Sequence, residues 1–177
     1  MGISREVWER TGGFRWANKS EDMEFSMRMR AEGFQVGLIP NAYVYHKRRS
    51  TWRQFFKQTY SFGEGRIRLY RVFPSELKWV HALPAMFLLA CAGWLLTLFM
   101  AGLSRQLHLS STSLWTCLAV LGSALLMFAL MVLFSHALVR TKRLRVALLA
   151  VPAALCQLIA YGAGFLQALC FATEERN

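Results

Sequence analysis
Few residues in this 177-residue chain have the chemistry to act on another molecule. Two adjacent carboxylates, Glu21 and Asp22, follow Ser20. Carboxylates are favoured in the first turn of a helix by its dipole, so on residue physics alone the pair serves a helix N-terminus. Gly12 and Gly13 suit a helix stop. His46 ends an alternating segment and, taken alone, is a surface or hydrogen-bonded histidine. The four cysteines (Cys91, Cys117, Cys156 and Cys170) all fall in apolar runs and show no CxxC spacing. They suit apolar packing better than a zinc site or a disulfide frame.

The elements that must carry these residues follow from spacing. Ser4 caps a short helix, Arg5 to Arg10, which Gly12 and Gly13 terminate. Ser20 caps a second helix that runs to about Glu32 and stops at Gly33. Residues 34–39 predict a short strand, broken by Pro40 and Asn41, and residues 42–46 a second extended segment. This is α/β material, too short to bury much of a core alone. In residues 50–62, Trp52, Phe55, Phe56 and Tyr60 recur at helical spacing, with Arg53 and Lys57 to one side. That suits a helix in the headgroup layer, aromatics down and bases toward anionic lipid. An amphipathic helix packed on a soluble domain is the alternative. The apolar run that follows favours the interface. Gly63-Glu64-Gly65 is expected to break this helix, and Arg66, Arg68 and Arg71 extend a basic collar.

The composition is 55% hydrophobic and 18% charged, with a net charge of +11. The average hides a split. Residues 1–79 hold 15 Lys/Arg against 8 Asp/Glu, and residues 80–177 hold 6 against 2. Residues 80–103, 114–139 and 146–172 contain no Asp, Glu, Lys or Arg. Each exceeds the roughly 20 residues that cross a hydrocarbon core. Three membrane spans follow, with Pro84 and Pro152 near span starts. Arg140, Lys142, Arg143 and Arg145 crowd one loop, and only Arg105 marks the other. With Arg66, Arg68, Arg71 and Lys78 ahead of the first span, the charge asymmetry puts the N-terminal segment in the cytoplasm and the C-terminus outside. Gln157 and Gln167 need partners in lipid. Ala160, Gly164 and Ala168 form a small-residue stripe that allows close helix contact. The intramembrane charge is too sparse for a transport path.

The order of segments carries a resemblance. Residues 5–14 (REVWERTGGF), Ser20-Glu-Asp22, Arg28, Gly33-Phe34, residues 40–46 (PNAYVYH), Lys57-Gln58 and residues 62–66 (FGEGR) together resemble the C-terminal half of family-2 glycosyltransferases. The apolar tail resembles the membrane anchor that follows the catalytic domain in many bacterial members. The resemblance implies an α/β fragment, part of a GT-A type, Rossmann-like nucleotide-sugar transferase domain, followed by three transmembrane helices. It divides the chain into catalytic residues 1–49, an interface segment 50–79 and a membrane region 80–172. It implies a multi-pass protein of the bacterial inner membrane.

The implied chemistry moves a sugar from a nucleotide donor to an acceptor hydroxyl with inversion, the acceptor being a lipid-linked or cell-envelope glycan. Asp22 then maps to the general base, which must come within about 2.6–3.2 Å of the attacking oxygen. Glu21 is its neighbour, orienting acceptor or backbone. Gly12 and Gly13 let backbone approach the acceptor. His46 falls where some related transferases complete a site for magnesium or manganese, although imidazole suits manganese better. Gln58 stands where processive members carry QxxRW. Here residues 58–62 are QTYSF, which favours transfer of single sugars. Arg66 is the cation that approaches the donor diphosphate, or a lipid headgroup. The family's DxD metal clamp is absent from the sequence. The expectation is therefore the C-terminal part of a longer enzyme, inactive alone and completed by a DxD-bearing N-terminal half. A non-catalytic membrane anchor or partner subunit is the alternative. Nucleic acid is not an expected partner, because spans and lipid-adjacent bases account for the charge.

Overall fold
The computed structural model describes residues 2–16, 20–41, 43, 45, 50–108 and 112–171. The helices are α1 (Arg5–Thr11), α2 (Glu21–Ala31), α3 (Trp52–Val72), α4 (Leu83–Gln106), α5 (Thr112–Thr141) and α6 (Leu144–Phe171). Two 3-10 turns, Pro74–Glu76 and Trp79–His81, join α3 to α4. The chain divides into two compact units, residues 1–82 with 163–177, and residues 83–162.

The expected α/β fragment is not found. Among the described residues there is no strand, and no Rossmann-like sheet. Residues 34–39 are irregular, with Leu38 and Ile39 90% and 65% exposed. A strand needs a ladder partner and a face to bury, and the described residues supply neither. Tyr43 and Tyr45 are exposed and outside any strand. Ala42, Val44 and His46 lie outside the described residues.

The first unit is built on α3. This helix runs unbroken through Gly63 and Gly65, against expectation. Its N-terminus is held by Thr51, whose Oγ1 accepts from the Gln54 N–H at 3.3 Å. Each helical glycine costs about 1 kcal/mol against alanine, but Gly63 and Gly65 are buried. A Cβ on Gly65 would collide with Ser20 Oγ. The end of α6 approaches α3 with equal closeness. A Cβ on Gly164 would run into the Tyr60 carbonyl, with the Glu64 amide nitrogen 3.3 Å away. Tyr60 donates its hydroxyl to Gln167 Oε1 at 2.6 Å, and Arg71 Nη2 donates to the Ala168 carbonyl at 2.9 Å. The Gly164–Ala168 part of the small-residue stripe is thus a backbone contact face, as its spacing suggests, and Gln167 has its partner. Ile67 and Leu69 of α3 are fully buried, while Trp52, Phe56, Phe62 and Tyr70 are exposed.

In the second unit α4 and α5 pack together. Trp94 donates its indole N–H to the Ala119 carbonyl and to Ser123 Oγ, both at 3.3 Å, and Gly122 leaves room for that ring. Gly162 of α6 brings its backbone against Pro84 and Ala85 at the start of α4. Lys142, with φ 53°, turns the chain between α5 and α6. Pro84 is at the second position of α4, as expected, but Pro152 is interior to α6, which begins earlier than the apolar run indicates. Three helices, Leu83–Gln106, Ser113–Thr141 and Leu144–Phe171, are long and apolar enough to cross a membrane.

Candidate active site
Glu21 and Asp22 occupy the first turn of α2. Ser20 does not cap this helix. It adopts left-handed backbone, φ 58°, and its side chain makes no capping hydrogen bond, because its hydroxyl is turned onto Gly65. The Met23 N–H donates instead to Asp22 Oδ1 at 2.8 Å. Ser26 Oγ donates to the Asp22 carbonyl at 2.7 Å. Asp22 is exposed and Glu21 half-buried, so the Asp22 carboxylate is reachable from solvent. It is the sole aspartate of the sequence.

The glycine turn is fixed from both sides. Ser4 caps α1 by accepting from the Val7 N–H at 3.3 Å. At the other end the Gly12 N–H donates to the Trp8 carbonyl at 2.8 Å. Gly12 and Gly13 both have positive φ, 72° and 75°. Gly13 also sits under the Trp8 ring, where a Cβ does not fit. Residues with side chains pay steadily for that backbone region.

Glu24 and Arg28, one turn apart on α2, bind this turn to the helix. Arg28 Nε and Nη2 donate to the two Glu24 carboxylate oxygens at 2.8 and 2.9 Å. Nη2 also donates to the Gly13 carbonyl at 2.7 Å, and Nη1 to the Thr11 carbonyl. The side chains are only 8% and 4% exposed. A planar fork of donors suits this double recognition. The Glu24 hydrogen bond raises the guanidinium pKa further, and burial opposes it in part. Phe25 packs beside it, 4.8 Å from the Phe14 ring. At the far end of α2, Arg10 donates to the Glu32 carbonyl and carboxylate at 3.3 and 3.4 Å and lies over the Phe34 ring.

The structure brings the start of α2 onto α3 at Gly65, one residue ahead of Arg66. Arg68 stands over the Trp16 ring at 5.2 Å. Arg66 and Gln58 are half-buried. Arg66 acts electrostatically on His81, whose Nδ1 accepts from the Lys78 N–H at 3.1 Å. Burial first, then the positive charges of Arg66 and Lys78, lower the His81 pKa. Among the described residues no hydrogen bond joins Gln58 to Glu21 or Asp22. His46 lies outside them. Among the described residues no three His, Cys, Asp or Glu side chains gather as metal ligands. Spacing alone did not single out the Glu24–Arg28 clamp. Its signal was the i, i+4 pair of opposite charges, which does not reveal burial.

These are the features of an integral membrane protein with a small polar helical unit, in which Asp22 is exposed at the start of α2 and Arg28 of the same helix holds the glycine turn. A family model described as glycosyl transferase family group 2 matches residues 1–162. The chain belongs to that family. No curated protein and no solved structure matches it.

Proposed function
We propose that this membrane protein works in sugar transfer from a nucleotide donor to a lipid-linked or cell-envelope glycan, with inversion and without processive extension. The observation that carries the reading is the exposed Asp22 at the start of α2, in a chain whose family match runs over residues 1–162. In this reading Asp22 takes the proton of the attacking acceptor hydroxyl. Glu21 orients the acceptor. Gly12 and Gly13 let main chain meet it without side-chain obstruction. Arg66 faces the donor diphosphate, and Gln58 lines the acceptor path. The divalent ion, magnesium or manganese, is bound by a DxD-bearing half outside this sequence, with His46 as a further ligand. The helix α3 lies at the headgroup layer, its exposed Trp52 and Phe56 in lipid. The basic residues Arg66, Arg68 and Arg71 ahead of the first apolar helix favour a polar unit on the cytoplasmic side of the inner membrane.

The test joins the chain to a DxD-bearing N-terminal half. Membranes holding the joined protein should transfer labelled sugar from a nucleotide donor to extractable lipid or glycan, and the 177-residue chain alone should not. Transfer by the chain alone contradicts the division of labour. No transfer by joined proteins from several family donors contradicts the function.

A further inference from the structure
The second unit carries a groove whose chemistry the sugar-transfer reading does not use. Between α4 and α5 an apolar space of about 500 Å³ is lined by Leu98, Gly102, Ala119 and Met127, with Arg105 at one end. A second space of about 650 Å³, between α5 and α6, shares Ala124 and Met127 with it and reaches Phe134 and Pro152. From Thr116 to Phe134 the α5 wall runs about 27 Å at 1.5 Å per residue. That is close to the roughly 30 Å of a hydrocarbon core. Small residues (Ala101, Gly102, Ala119 and Ala124) line the first space together with the larger Leu98 and Met127.

Among the described residues Arg105 is the single charged one lining either space. It is exposed, in the last turn of α4. Residues 83–162, the unit that contains it, hold no Asp or Glu. The α4 C-terminal dipole is a partial counter-charge only. A guanidinium at the membrane boundary reaches toward the headgroup layer and accepts phosphate through a planar fork of donors. We propose that this groove holds one anionic phospholipid, its phosphate on Arg105 and an acyl chain along Ala119, Ala124 and Met127. The apolar wall selects the chain, and the charge selects the headgroup.

The test is native mass spectrometry of the full chain in detergent. It is titrated with phosphatidylglycerol or with phosphatidylcholine of the same acyl chains. The wild type should keep one phosphatidylglycerol in preference to phosphatidylcholine. Arg105→Gln should weaken that retention about fivefold, the ~1 kcal/mol of one base near an anionic surface, and abolish the preference. Arg140→Gln, which removes the same charge outside the groove, should leave it intact. Ala124→Phe should lower retention of both lipids. Equal retention of the two lipids by the wild type overturns the site. So does equal loss in Arg105→Gln and Arg140→Gln, which would mark unspecific attraction to a basic protein. A dimer that excludes lipid overturns it too, since a second copy would then be the occupant. Arg105 is exposed, so its variant reads the headgroup contact even if Ala124→Phe fails to fold.

Discussion

Arg28→Met removes the guanidinium that ties α2 to the glycine turn. It leaves the Glu24 carboxylate, 4% exposed, with no cation. It also takes the donor from the Thr11 and Gly13 carbonyls. Breaking a buried pair from one side costs about 3–5 kcal/mol. The polar unit is small and water can enter the vacated site, so about 3 kcal/mol is the figure to expect. That corresponds to roughly a hundredfold rise in local opening. Glu24→Gln should cost less, about 1–2 kcal/mol, because the amide oxygen still accepts from Arg28. Hydrogen exchange followed by mass spectrometry reads both. Peptides covering 5–13 and 21–31 should lose protection in Arg28→Met, and peptides from α5 should not change. The guanidinium pKa is raised in the fold. Its contribution is therefore full at every pH below the ordinary arginine value and is lost only as pH rises past it. The difference between variant and wild type should be flat from about pH 6 to 9. Protection within threefold of wild type would refute the clamp, and so would a loss spread evenly into α5.

Three further outcomes follow from single contacts. Gly164→Val places a side chain against the Tyr60 carbonyl and should cost about 1–3 kcal/mol, seen as lower midpoint temperature and faster exchange in α3, whereas Gly37→Ala, which meets no neighbour, should be silent. His81 has a lowered pKa and holds the Lys78 N–H through Nδ1, so its contribution is present above the ordinary histidine value and lost as pH falls through and below it. Intrinsic-rate-corrected protection of the Lys78 amide should drop between about pH 7 and 5, and His81→Phe should remove that dependence. Replacing Trp52, Phe55 and Phe56 by Ser should expose Lys57 to protease in membrane vesicles while the spans stay inserted; unchanged cleavage contradicts interfacial burial.

The elements legible in the sequence are those set by short-range chemistry or by the bilayer. Ser4 and Gly12 define α1 because a hydroxyl cap and a left-handed glycine act within one turn. The three apolar helices follow from length and absence of charge. Gly164 was legible as a close-contact residue because small side chains at i, i+4 have few other uses. The strand at residues 34–39 was misread, since alternation gives a tendency that only a neighbouring strand realises. The break at Gly63–Gly65 was misread because packing against Ser20 outweighs propensity. The Ser20 cap failed for the same contact. Among the residues assigned to chemistry, Glu21 and Asp22 stand in the expected first turn. The buried Glu24–Arg28 pair was invisible as such, because burial depends on α1 folding back onto α2.

Asp22 is the proposed base for sugar transfer. The direct measurement is the rate of labelled-sugar transfer by the joined, DxD-bearing protein with Asp22→Asn, set beside Asp22→Glu and wild type over a range of pH. Asn keeps the size and suits a helix start, so circular dichroism and hydrogen exchange of α2 should match wild type. In Asp22→Asn kcat should fall about 100-fold or more with little change in KM. Partial rescue by Glu is expected as well. Wild-type turnover in the Asn variant would contradict the role of Asp22 as base.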